Sequence, residues 1–115
     1  MHIINDLTKK IIAFRDARDW KQFHTPKDLA ISLSLEAGEV LEHFQWKTNE
    51  EVIKYLKDHK EDIGDELGDV FNYLLLLSDA AGIDILEAAE KKLKKNEEKY
   101  PVDKARGRHT KYNKL

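Results

Sequence analysis

The sequence predicts an all-α protein, four-helix-bundle-like and assembled as an oligomer. Apolar residues recur at three- and four-residue spacing through most of the chain, the period of a helix with one buried face. Helix-capping signals stand where those stretches begin: Thr25-Pro26, Thr48 with Glu51, and Asp84 with Glu87. No stretch carries the strict alternation of a half-buried strand. With 115 residues the chain suffices for one core and not for two. The expected layout is a helical domain over residues 1–101, with 102–115 as a basic tail of the same domain.

Each element follows from local signals. Asn5 or Asp6 is expected to cap a first helix whose apolar side is Leu7, Ile11, Ile12 and Phe14, ending near Ala17. The segment from Arg18 to His24 holds two aromatics and no clean period. Thr25 as cap, Pro26 at the first helical position and Asp28 in the first turn open a second helix, expected to run to about Trp46. The capping box of Thr48 and Glu51 starts a third, with Val52, Ile53 and Leu56 as its apolar face. A break near residues 58–60 is compatible with the pattern. The next helix runs to Ala81, where Gly82 is placed to stop it. Asp84 caps the last, which extends to about Lys99 before Tyr100-Pro101 ends it.

Composition narrows the function classes. The chain is 41% hydrophobic and 37% charged, the balance of amphipathic helices with charged outer faces. Its net charge of −2 gives no argument for nucleic-acid binding, which usually shows a basic patch. The absence of cysteine excludes disulfides, thiolate zinc sites and a cysteine nucleophile. Residues 1–6 show no basic region leading into a long apolar run, so no signal peptide is expected. The longest apolar run, near Leu74–Leu77, is far too short to span a membrane. A soluble, cytoplasmic protein with neither nucleic acid nor membrane as partner is therefore expected. Neighbours within Leu74–Leu77 point to opposite sides of a helix, and such all-round apolar surface calls for a second copy to cover it.

Two acidic pairs organise the chain. At about 100° per residue, Ser32, Glu36, Glu39, His43 and Trp46 share one stripe, and Asp62, Glu66, Asp69 and Tyr73 share another. Beside them run Leu29, Leu33 and Val40 on the first helix, and Ile63, Val70, Leu74 and Leu77 on the second. The carboxylates thus border a core. Like charges at this spacing destabilise a helix by roughly 0.2–0.5 kcal/mol per pair, and desolvation adds to that. A hard divalent cation offsets both, because Mg²⁺ takes carboxylate oxygens and keeps positions for water and phosphate. On pattern alone two readings stand: a metal site, or solvated surface, since 22 acids produce such pairs by chance.

Chemistry separates the metals better. A di-iron bundle needs Glu-x-x-His, and no histidine here has a glutamate three residues before it. A two-carboxylate acid/base pair leaves the other two acids unexplained. Four acids facing one another across two helices fit Mg²⁺, and Mg²⁺ in that setting fits a polyphosphate substrate. Trp20, Phe23, Trp46 and Tyr73 lie on or beside these faces, either as core or as stacking surface for a base. His24 and His43 are either structural hydrogen-bonders or site residues. The tail, with Lys104, Arg106, Arg108, His109 and Lys111, is either a solvated end or a cover for phosphate.

These residues carry a family resemblance. Glu36-x-x-Glu39 followed by Glu66-x-x-Asp69 resembles the signature of the MazG-like all-α nucleoside triphosphate pyrophosphohydrolases. The run from Arg18 to His24, Phe44-Gln45-Trp46, Asn96 with Tyr100-Pro101-Val102, and Arg106-Gly107 with Lys111-Tyr112 resemble the dCTP pyrophosphatase branch. Two positions depart: Leu35, where many members carry another acid, and Ile11, where that branch can place a polar pocket residue. The resemblance implies Mg²⁺-dependent hydrolysis between the α and β phosphates, in housecleaning of the deoxynucleotide pool. It implies Glu36, Glu39, Glu66 and Asp69 as metal ligands and catalytic acids. Trp20, Lys21, Gln22, Phe23, His24, Trp46 and Tyr73 would line the nucleotide pocket, and Lys92 and Asn96 would reach phosphates. It further implies a homodimer or dimer of dimers. With Trp20 and Trp46 narrowing the slot, and His24 and Gln22 near the base edge, the expected substrate is dCTP or a modified form. The rivals are a phosphohydrolase releasing orthophosphate and a non-catalytic helical interaction module.

Overall fold

A computed structural model describes residues 2–114. It is all-helical, with no strand among the described residues. Helix α1 spans His2–Ala17, a single 3-10 turn follows at Lys21–Phe23, then α2 spans Pro26–Glu42, α3 Asn49–Asp58 and α4 Lys60–Ala80. Beyond these lie α5 at Ile85–Lys99, the short α6 at Val102–Ala105 and a last 3-10 turn at Tyr112–Lys114. The chain forms two compact units, residues 1–82 and 83–115.

In the first unit α4 is the element against which α1, α2 and α3 pack. Its sequence explains this: Ile63, Leu75, Leu76 and Ser78 are all buried, on more than one face of the helix. Ser78 avoids an orphaned hydroxyl by donating to the Leu74 carbonyl at 2.7 Å. Leu29 of α2 completes the apolar core at 2% exposure. Burying Leu29 and Ile63 next to the acid stripes holds the acids of α2 and α4 at the margin of that core.

The caps behave as their residue types dictate. Thr25 Oγ1 accepts from the Asp28 amide at 3.2 Å, with Pro26 opening α2. Thr48 and Glu51 form the full reciprocal box at 3.2 and 3.0 Å. Asp84 Oδ1 accepts from the Glu87 amide at 3.1 Å. Gly82, at φ +68°, adopts the left-handed conformation that ends α4.

Boundaries differ from expectation at two helix ends. Asn5 and Asp6 do not cap α1, which starts at His2; half-buried Ile4 draws the preceding turn into the helix, and its carbonyl accepts from Thr8 Oγ1 at 2.8 Å. More important for the site, α2 ends at Glu42 and not near Trp46. Its last turn tightens into three-residue hydrogen bonds, His43 to Val40 at 3.2 Å and Phe44 to Leu41 at 2.9 Å. His43 Nδ1 and the Tyr55 hydroxyl share a 2.6 Å hydrogen bond that ties this turn to α3. The break between α3 and α4 falls at His59, whose ring stacks on Tyr55 at 4.0 Å.

In the second unit, α5 carries an i,i+4 ion pair, Lys91 with Glu87 at 2.6 Å. Part of the basic tail is ordered as α6, and Tyr112 meets Tyr100 edge-on at 6.1 Å with Lys99 over its ring at 4.7 Å.

Because Leu29 is the fully buried contribution of α2, Leu29→Ala should destabilise the protein by about 2–5 kcal/mol. Urea denaturation followed by circular dichroism checks this; a change under about 1 kcal/mol would show that α2 is not anchored there.

Candidate functional site

Glu36 and Glu39 sit one turn apart on α2, and Glu66 faces them from α4. One carboxylate oxygen from each lies within 4.8 Å of the others. Glu36 and Glu66 are half-buried and Glu39 is exposed. An oxygen on Glu36 and one on Glu66 (Oε2 in each) are buried without a hydrogen-bond partner among the described residues. Buried acceptors left bare are uncommon and ask for an explanation.

The electrostatics follow from this crowding. Glu36 is pushed up to about 7, by burial first, then by the neighbouring Glu39 carboxyl and the charges of Asp69 and Glu66. Glu66 is also raised, chiefly by its contact with Glu39 and by burial, with His43 pulling the other way. Asp69 lies outside the tight trio yet close enough for its charge to act on both.

Asp69 also lines a neighbouring cavity of about 330 Å³. Trp20, His24 and Tyr73 line it too. Its remaining wall comes from Lys10, Ile11, Phe14 and Arg15 of α1, and from Asn72 and Leu76 of α4. Phe14 and Trp20 meet edge-on at 5.7 Å, and the Arg18 guanidinium covers Phe14 at 3.6 Å. The approach to Trp20 depends on Asp19 in the left-handed region at φ +54°, a conformation aspartate tolerates better than most residues. A second, more open groove of about 410 Å³ runs past Glu39, Glu42, His43, Tyr55 and Glu66.

Lys21, Gln22, Phe23 and Trp46 do not line that cavity. Lys21, Gln22 and Phe23 form the exposed 3-10 turn, and the Gln22 amide donates to the Asp19 carbonyl at 3.0 Å. Trp46 leaves the acid stripe because α2 ends four residues earlier, and it is 87% exposed. Lys92 and Asn96 lie on α5, in the second unit. Sequence reasoning missed Arg15, Lys10 and Asn72. Arg15 was detectable in principle: it falls four residues after Ile11, a charged residue on an apolar stripe.

The sequence profile of the MazG-like family matches residues 31–115. The chain belongs to the MazG-like family. Mouse dCTP pyrophosphatase 1 is 36% identical over 114 residues, 97% of this chain and 67% of that protein. The human dCTP pyrophosphatase 1 is 34% identical over the same length. A pyrophosphatase of Archaeoglobus fulgidus shares the fold with a TM-score of 0.83 and 43% identity, covering 88% of this chain and 94% of its own. The profile match begins at Ile31, so in this MazG-like chain it takes in all four acids while the α1 wall of the cavity falls outside it.

The donor set suits a hard divalent cation. Among the described residues the converging ligand atoms of Glu36, Glu39 and Glu66 are carboxylate oxygens, and two buried carboxylate oxygens of this trio lack a partner that a cation could supply.

The raised Glu36 has a consequence for stability. In the folded protein it holds its proton up to about pH 7, whereas unfolded it releases it near 4.5. Between those values the unfolded state binds fewer protons, so the metal-free protein loses stability as pH rises through that window. Melting curves in a chelator should show Glu36→Gln losing less stability across this window, the remainder coming from the raised Glu66. Equal slopes for the two proteins between pH 4.5 and 7 would refute the crowded-carboxylate description.

Proposed function

We propose that this chain, a nucleoside triphosphate pyrophosphohydrolase, acts on dCTP or a modified cytosine deoxynucleotide with Mg²⁺ as its ion. The reaction adds water across the α–β bridge of the triphosphate, breaking one P–O bond and giving the monophosphate and pyrophosphate. The observation that carries the reading is the convergence of Glu36, Glu39 and Glu66 beside a cavity walled by aromatics, with Asp69 bordering both. Relatives named dCTP pyrophosphatase support the choice of base.

Glu36, Glu39, Glu66 and Asp69 hold the ion. When bound, Mg²⁺ offsets triphosphate charge and acidifies an attacking water. The protein's own part is orientation. Trp20 and Tyr73 offer faces on which a base stacks, at about 1–3 kcal/mol per base. Such stacking places the sugar toward Asp69 and the phosphates toward the glutamates. Charge sorts the two ends, since a triphosphate is held only where a cation offsets the acids, while a neutral base prefers the apolar cavity. Lys21, Gln22, Phe23 and Trp46 form the outer approach to the nucleotide. No helix among the described residues is long and apolar enough to cross a membrane.

The working unit is a homodimer or dimer of dimers. Ile31, Leu35 and Leu41 on α2, with Leu67 and Phe71 on α4, are all exposed. Apolar surface on this scale marks an interface. Light scattering at micromolar concentration should give at least twice the 13.4 kDa chain mass; a monomer would contradict this.

Glu39→Gln keeps the side-chain shape and removes one charge. Hydrolysis should fall by orders of magnitude while the circular dichroism spectrum is retained, because relieving an acidic cluster does not cost the fold. Full activity in the folded variant would remove the acids from the chemistry. Product analysis of the unaltered protein is the second check. Pyrophosphate is expected, and orthophosphate alone would make the chain a phosphohydrolase of another kind. Failure to hydrolyse any nucleotide would favour a non-catalytic module.

A further inference from the structure

Arg15 is the buried cation of the aromatic cavity, with 8% of its surface exposed. Its Nε donates to Asp16 Oδ1 at 2.9 Å, and Nη2 stands 2.9 Å from the same oxygen. No described residue accepts from Nη1. His24 lines the same cavity, and its Nδ1 is buried without a partner. Burial first, and then the nearby Arg15 charge, hold His24 below its ordinary value, so the ring is neutral at pH 7. With its proton on Nε2, Nδ1 offers a bare acceptor. Two elements thus bring to one cavity an arginine whose Nη1 has no acceptor among the described residues and a histidine with an unpaired Nδ1.

The geometry points to Arg15 as the residue that reads the base, its guanidinium donating to the O2 and N3 acceptors of cytosine while His24 Nδ1 accepts from the 4-amino group. This assignment rests on the pyrophosphohydrolase reading and adds to it a specificity-determining residue. A guanidinium only donates, so it selects an edge with two adjacent acceptors. Cytosine has that edge, flanked by a donor. Uracil and thymine place an N3–H between their carbonyl oxygens and put an acceptor where His24 also offers one. Adenine has no adjacent acceptor pair, and the two-acceptor edge of guanine lacks the flanking amino group.

The same guanidinium has reason to avoid phosphate. Asp16 already pairs with it at 2.9 Å and offsets part of its charge. It shares its cavity with the rings of Phe14, Trp20 and Tyr73 and with Lys10 and Asp69, while the carboxylates that suit a cation converge at the glutamates. A site that hydrogen-bonds one edge rejects others strongly, because its own buried groups stay unpaired when the wrong base enters. Stacking alone cannot do this.

The test is calorimetric binding of dCMP and of its 3-deaza analogue, in which N3 is replaced by CH, to the full chain and to Arg15→Met. The unaltered chain should bind the analogue at least about tenfold more weakly, the scale of one lost charge-assisted hydrogen bond. Arg15→Met should bind both alike. Should that variant not fold, Arg15→Lys, which keeps the charge beside Asp16 and loses the paired planar donors, should narrow the difference in the same way. The assignment is overturned by equal binding of the two ligands to the unaltered chain, by no binding of dCMP, or by an undiminished difference in the Arg15 variants. A variant that weakens both ligands by one factor while keeping their ratio would make Arg15 a phosphate contact, which also overturns it. Pyrophosphate release from triphosphates is scored separately. Release without base preference defeats Arg15 and spares the activity, whereas base discrimination without release does the reverse.

Discussion

Three carboxylates that repel one another are held together by the packing of α2 against α4. Separated, each would be ordinary surface, and nothing in the local sequence of either helix opposes separation. What opposes it is the burial of Leu29 on one helix and of Ile63, Leu75 and Leu76 on the other. Hydrophobic burial is non-directional, but once ridges interlock it fixes the rotation of each helix. The acids inherit that rotation. Their discomfort is visible in the elevated Glu36 and Glu66 and in two buried oxygens with no partner. Strain of this kind is concentrated where a protein binds something.

From that constraint the neighbouring cavity takes its polarity. Asp69 stands at the boundary, acting on the glutamates by its charge and lining the aromatic cavity by its position. On one side the demand is for positive charge; on the other, α1 and the turn at Asp19 and Trp20 build an enclosure of rings. Arg15 lines it with a guanidinium paired to Asp16 at 2.9 Å, so the cavity adds hydrogen-bonding capacity to its rings. A nucleotide has the same division, a flat uncharged end and a densely charged one.

Shortening of α2 also shapes the site. A helix continued to Trp46 would have laid that indole on the acid stripe. Instead the chain turns at His43, whose hydrogen bond with Tyr55 fastens the turn to α3. Tyr55 is then held on several sides, by His43, by the stacked His59 and by the Lys47 ammonium 4.3 Å from its ring centroid. The open groove past Glu39 and Glu66 is bordered by His43 and Tyr55 of this cluster.

The sequence by itself determined the helices, most of their caps and the pairing of acids one turn apart, because each depends on residues within four positions of one another. Thr25, Thr48, Asp84 and Gly82 act locally, and their chemistry is legible without a fold. The end of α2 was not legible, since a hydrogen bond to Tyr55 twelve residues away contributes to it. Nor was the cap of α1, where burial of Ile4 outweighs the preference of Asn5 and Asp6 for helix ends. Arg15 shows the limit most clearly. In sequence it is one cation among 20, separated by more than fifty residues from Asp69 and Tyr73, with which it shares a cavity. Which of many charged groups is buried, and what faces it there, is set by the packing of α1 on α4, and only the tertiary structure decides that.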